Sequence, residues 1–216
     1  MINFNFKLDN ETHKITVPSE WSEVKVRHYK KLEELQPTFD YEVLSCFTDF
    51  DFKDFGNATS KEDLFVIQEV MSFLNNKDAL NKAKRKPKIL MGNKWIKPPN
   101  KVELETIGQK SMAKPILNKY TDEKTDPNIA DIIDLCAIYF QPAYTGKFNP
   151  DLIPGTKQYI MDMDLIDIIP WFLFFFRQLS PMRIFGLLGL NLSLKTLMRI
   201  LSSRRREGIN STASAI

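Results

Sequence analysis

The chain has 216 residues, 43% hydrophobic and 26% charged, with a formal net charge of +3. That length can bury a sizeable core, and the balance is that of an ordinary globular protein rather than a disordered one. A charge of +3 does not by itself imply nucleic acid, because phosphate recognition needs a clustered basic surface. Two cysteines, Cys46 and Cys136, cannot build a disulfide framework and fit a reducing compartment. Sixteen Phe against eight Gly point to a core filled by aromatics.

The opening residues Met1 to Lys7 lack the basic-then-apolar pattern of a signal peptide, so a cytosolic protein is expected. Ile2, Phe4, Phe6 and Leu8 alternate with Asn3, Asn5 and Lys7, and Ile15 and Val17 resume the alternation after the turn residues Asp9 to Thr12. This predicts a β-hairpin with one buried face. Pro18 should end it, with Ser19 or Ser22 capping a helix whose stripe is Val24, Val26, Tyr29, Leu32 and Leu35 and whose stop is Gln36-Pro37. A second helix is expected from Tyr41 to Phe50. A third, capped by Ser60, should carry Leu64, Ile67, Val70, Met71 and Leu74 on one face.

Lys82, Lys84, Arg85, Lys86 and Lys88 form a basic run around Pro87 that reads as an exposed connector and a weak subdivision of the chain. Ile89-Leu90-Met91 and Trp95-Ile96 flank Gly92-Asn93, predicting a second hairpin closed by Pro98-Pro99. The order hairpin, proline, polar segment thus occurs twice, which ordinary hairpin grammar explains as well as a duplication does. Ile129, Ile132, Ile133, Cys136, Ala137 and Phe140 share one helical stripe, started by Asp126 or Asn128 and stopped at Gln141-Pro142. Thr145 to Gly155, with Pro150 and Pro154, is expected to be a loop.

The stretch from Tyr159 to Leu201 dominates the composition, above all the run Ile168 to Phe176. A run without a polar face should be covered on all sides, Phe174 included. Spanning a bilayer takes about 20 apolar residues, and Asp167 and Arg177 bracket far fewer, so a buried helix is expected and not a membrane one. Pro170 should start or kink that helix. A Leu-rich helix is expected after Pro181. The fold expectation is therefore a mainly α protein with two short β-hairpins and a helical core built around the Phe-rich helix, as one domain over 1–203. Residues 204–216, opening with Arg204-Arg205-Arg206, should form a flexible basic and polar tail whose removal spares folding.

Few residues carry chemistry. His13 and His28 read as solvated surface residues, and Cys46 and Cys136 as inert core thiols. Gly186-Leu187-Leu188-Gly189 has no Lys-Ser/Thr after it and is no phosphate loop. Asp162, Asp164 and Asp167 form the best carboxylate cluster, conceivable as a glycosidase pair or metal site but also ordinary helix-end electrostatics. Neither basic run has interleaved aromatics for base stacking. No catalytic, cofactor-binding or metal residue can be assigned, and no cofactor is expected.

The segment Ile15 to Tyr29, in which a hairpin leads through Pro18, Trp21 and an acidic residue into an amphipathic helix, resembles the opening of small proteins of tailed bacteriophages, especially phages of Bacteroidetes. The motifs Leu104-Glu105-Thr106-Ile107-Gly108-Gln109 and Ala137-Ile138-Tyr139-Phe140-Gln141-Pro142, followed by the Phe-rich helix, extend the likeness in scattered pieces. The resemblance implies a non-enzymatic assembly protein, similar to tail assembly chaperones, whose partner is another phage structural or tail polypeptide. The alternative it implies is a permanent virion subunit: a connector, tail or packaged protein. Either setting places the protein in the cytoplasm of the infected bacterial host or in the virion, with nucleic acid and membrane not expected as partners.

Overall fold

The computed structural model describes residues 1–8, 10–37, 40–51, 53, 70, 72–76, 78–102, 106–122 and 127–179. Strands β1 (Ile2–Leu8) and β2 (Glu11–Val17) pair antiparallel, from Ile2 opposite Val17 to Leu8 opposite Glu11. The turn is shorter than expected: Glu11 and Thr12 belong to β2, and Asn10 takes the left-handed region at φ 65 that asparagine tolerates. Phe6, Ile15 and Val17 are buried on one face, while Asn3, Asn5, Lys7, Lys14 and Thr16 stand exposed on the other.

Pro18 ends β2, and Trp21–Glu23 forms a 3-10 turn. Trp21 is buried there, its indole N–H donating to the Asn76 carbonyl at 2.8 Å and its ring edge-on to Phe73 at 5.7 Å. Ser19 and Ser22 do not cap the helix. The Ser19 N–H and hydroxyl donate to the Glu23 carboxylate at 2.8 and 3.0 Å, and α1 (Val26–Leu35) starts only after Lys25. Val26, Tyr29 and Leu32 are its buried stripe; Leu35 is exposed. Gln36, at φ 46, ends α1 in the left-handed conformation before Pro37, which disfavours the α region for its predecessor. Helix α2 (Asp40–Ser45) is shorter than the expected Tyr41 to Phe50. Of the expected third helix, Val70 and 72–75 are helical, with Val70 and Leu74 buried; Ser60, Leu64, Ile67 and Met71 lie outside the described residues.

A short α3 (Asp78–Lys82) precedes the basic connector, and β3 (Ile89–Met91) pairs antiparallel with β4 (Lys94–Ile96) as a second, separate sheet. Helix α4 (Ile107–Asp122) has no counterpart in the sequence expectations, and it carries Pro115 internally. Helix α5 (Ile129–Thr145) starts at the Asn128 cap, whose side chain accepts from the Asp131 N–H at 2.8 Å. The expected loop after it instead holds a 3-10 turn (Pro150–Leu152) and α6 (Ile153–Met161), with Pro154 in the first turn, where its missing N–H costs nothing.

The Phe-rich helix is α7 (Leu165–Leu179), and Pro170 lies inside it without ending it. Its aromatic face meets α5: Tyr139 stacks on Phe175 at 4.5 Å, and Phe140 meets Trp171 edge-on at 6.2 Å. Helix α5 in turn touches α1, α4 and α6, so the helical core is built on the α5–α7 pair. Each of these large side chains contributes about 1.5–3 kcal/mol on full burial. The run is not covered on all sides. Leu173 and Phe174 are only partly buried, which corrects the expectation for Phe174. Among the described residues no helix is long and apolar enough to cross a membrane. The expected Leu-rich helix after Pro181, the Gly186 to Gly189 run and the tail with Arg204, Arg205 and Arg206 lie outside the described residues.

Candidate functional site

The three carboxylates of the sequence cluster are divided among three cations. Asp162 closes α6 and meets Arg27 at 3.0 Å; Asp164, just before α7, meets Lys25 at 2.7 Å; Asp167, in the first turn of α7, meets Lys86 at 2.7 Å. The backbone reinforces the first two pairs. The Val26 N–H donates to the Met163 carbonyl at 3.0 Å, and the Leu165 N–H to the Val24 carbonyl at 2.8 Å. Each carboxylate has its own cation, and together they fasten the α6–α7 junction to α1 and to the connector. Among the described residues no group of three His, Cys, Asp or Glu side chains could hold a metal ion.

The basic connector is exposed, as expected, yet anchored. Arg85 lies with its guanidinium 3.9 Å from the Phe174 ring centre and 5.1 Å from that of Trp171, and Lys86 holds Asp167. A cation over an aromatic face is attracted by the ring quadrupole, so this one residue covers part of the α7 surface left open by the helices. The second hairpin follows directly. Its inner face carries Ile89, Met91 and Ile96, all buried. Its outer face presents the cross-strand pair Leu90 and Trp95, 48% and 66% exposed. Gly92 makes the docking possible: at φ +60, a Cβ there would stand 2.9 Å from the Tyr159 ring. Tyr159 leans on Tyr144 at 5.2 Å, and Lys94 sits over the Tyr144 ring at 5.3 Å while donating to the Tyr144 carbonyl.

Tyr144 lies beyond Pro142, where the sequence expectation stops the helix. Proline has no N–H for the carbonyl four residues back, here that of Ile138. The structure supplies another donor: Gln109 Nε2 reaches the Ile138 carbonyl at 3.3 Å from the start of α4. Gln109 Oε1 meanwhile accepts from the Thr106 N–H at 3.1 Å, and the Gln109 N–H donates to Thr106 Oγ1 at 3.2 Å, a capping box at the entrance of α4. Gln141, fully buried, closes the other end by bonding Thr145, the Lys147 carbonyl and the Asn149 N–H. With the helix kept intact past Pro142, α5 ends at Gly146 (φ 92). Gly108 leaves room for Phe148, whose ring would stand 2.7 Å from a Cβ. Two motifs of the phage resemblance, Thr106 to Gln109 and Ala137 to Pro142, are thus brought into contact. The Thr-x-x-Gln spacing is the sequence signal that announces α4.

Neither histidine is a solvated surface residue. His13 lies in β2 opposite Phe6, stacked on it at 5.4 Å and edge-on to Phe50 at 5.2 Å. His28 meets Phe47 at 5.6 Å, and its Nδ1 accepts from the Lys25 N–H at 3.3 Å. Burial, then the charges of Arg27, Lys31 and Lys25, lowers the His28 pKa to about 4, which keeps that acceptor unprotonated. Cys46 and Cys136 are buried thiols; burial pushes Cys46 up to about 12 and Cys136 higher still, so neither is poised as a nucleophile. An open depression of about 360 Å³ beside Cys46 is lined by Lys31, Glu34, Leu35, Ser45, Phe50 and Asp51.

A buried polar cluster missed by the sequence reading sits at the start of α5. Asp131 accepts from Lys119 Nζ at 2.8 Å and from the Tyr120 hydroxyl, while the Ile129 N–H donates to Glu33 at 2.7 Å. Burial, then the hydrogen bond to Asp131, raises the Tyr120 phenol well above its ordinary range. Burial also raises the Glu33 carboxyl, with the Ile129 N–H pulling the other way. Each group is tied to another, and the cluster joins α1, α4 and α5. No protein-family model matches the chain, and searches of curated proteins and of solved structures likewise return no match.

Proposed function

We propose that this chain is a non-enzymatic assembly protein of a tailed bacteriophage, similar to tail assembly chaperones, that binds another phage polypeptide. The phage setting is supported by the resemblance of residues 15–29, 104–109 and 137–142 to small tailed-phage proteins. The binding role rests on one observation: the carboxylates 162, 164 and 167, His28 and Asp131 are engaged within the chain, whereas Leu90 and Trp95 stand paired in solvent on an anchored hairpin. Exposed aromatic and aliphatic pairs of this kind suit protein contacts, where aromatic anchors supply much of the binding energy.

Mass spectrometry of purified particles and of the infected-cell lysate tests the role. An assembly protein of the chaperone kind is abundant in the lysate and missing from the particle. A fixed copy number per particle would replace this reading by that of a permanent virion subunit.

A further inference from the structure

Residues 79–102 carry eight lysines and arginines and no carboxylate, against a net charge of only +3 for the whole chain. The hairpin β3–β4 lies at the centre of that segment. Four of its cations are committed: Lys82 to Asp78, Arg85 to Phe174 and Trp171, Lys86 to Asp167, and Lys94 to Tyr144. Lys88 and Lys97 have no such partner among the described residues. They stand exposed one step beyond the Ile89–Ile96 pair, at the open end of the hairpin. Lys88 precedes β3 and Lys97 follows β4, each two residues along the chain from an outer-face residue, Leu90 and Trp95. The apolar outer pair is thus followed, at the open end of the hairpin, by two exposed cations.

We infer that this face docks an extended polypeptide segment that carries apolar side chains followed, on the same face, by carboxylates. The inference rests on the binding role proposed above and names the chemistry of its partner. The charge pattern selects an acidic occupant, because two exposed cations with no ion-pair partner among the described residues attract opposite charge and repel a basic one. The apolar end selects side chains over phosphates, since Leu90 offers no π face and Trp95 is a single stacking platform where single-stranded nucleic acid uses a succession of them. Among the described residues neither strand has a second neighbour in its sheet, and an extended partner can add to such an edge through its main chain. The surface is preorganised: Gly92 against Tyr159, Lys94 on Tyr144 and the buried inner face hold the hairpin before any partner arrives.

Trp21 and Trp171 are buried, so a change of emission in the full chain on titration reports chiefly on Trp95. The probe is the peptide acetyl-Leu-Ser-Leu-Ser-Glu-Ser-Glu-amide, with the same peptide carrying Lys for Glu and a short oligo-dT as comparisons. The expected result is a saturable blue shift with the acidic peptide, weakened by NaCl and reduced about tenfold or more in affinity by K88E/K97E. The lysine peptide should give none. Circular dichroism confirms that the double variant remains folded, as two exposed residues allow. The inference is overturned by no shift up to millimolar acidic peptide, by tighter binding of oligo-dT, or by binding that K88E/K97E leaves unchanged. Each of those results would leave the particle mass spectrometry free to support or reject the assembly role on its own.

Discussion

The two hairpins obey different rules. In β1–β2 every described inward side chain is apolar or aromatic except His13 and the terminal Glu11, and the outward row is polar, with Thr16 donating to Asn3 at 3.0 Å. In β3–β4 both rows are largely apolar, and only the inner one is buried. A half-buried antiparallel pair normally alternates apolar and polar. The first hairpin therefore reads as a wall of the core. The second reads as a wall that also carries an outward surface, and its violation of the alternation is what singles it out.

The largest expected effect breaks the first wall. Phe6 is buried and meets both His13 and Phe50, so Phe6→Ala should cost about 3–5 kcal/mol in denaturant unfolding. A cost below about 1 kcal/mol would mean that β1–β2 is an appendage. Next comes the platform under the second hairpin. Gln109→Leu leaves the Ile138 carbonyl without its donor and weakens the α4 cap, at about 1–3 kcal/mol. In a Pro142→Ala background the helix regains an N–H for that carbonyl, so the same change should cost less; equal costs in both backgrounds would refute the compensation.

The turns give a sharper contrast. Gly92→Ala forces a Cβ into the left-handed region and against Tyr159, and should destabilise by about 1–3 kcal/mol. Asn10→Gly, at φ 65 in the first hairpin, should be neutral or mildly stabilising when measured by the same unfolding titration. Acid should have a modest effect. The His28 pKa of about 4 lies below the ordinary 6.5, so the unfolded chain binds the proton first as pH falls. Stability should therefore decline as pH falls from 6.5 to 4 by about 1 kcal/mol, discounted because the ring is partly exposed, with no pH dependence from His28 above that window. His28→Gln, which keeps an acceptor but does not titrate, should flatten that segment of the pH profile.

Periodicity explains what was legible in the chain. The two hairpins, the Ile129 stripe and the Phe-rich helix all announce themselves through spacing. Helix α4 hid behind Pro115, although Thr106 and Gln109 marked its start. The extension of α5 past Pro142 was not local information at all, because its replacement donor comes from 29 residues earlier. The carboxylates were misgrouped for the same reason: Asp164 and Lys25 are 139 residues apart in sequence and 2.7 Å apart in space. At the second hairpin, Ile89-Leu90-Met91 is apolar throughout, so no pattern says which face meets the core. Only the docking on Tyr159 and Tyr144 resolves it, and with it the exposure of Leu90 and Trp95.

On the proposed function, the second hairpin holds the fold with one face and keeps the other for a partner. A matched pair of truncations in that hairpin, Met91→Ala and Trp95→Ala, tests it most directly by equilibrium unfolding. Met91 is fully buried, and its truncation should cost about 2–5 kcal/mol. Trp95→Ala should change stability by no more than about 0.5 kcal/mol, the range of surface substitutions. A Trp95→Ala variant as unstable as Met91→Ala would place that ring in the service of the fold and contradict the account.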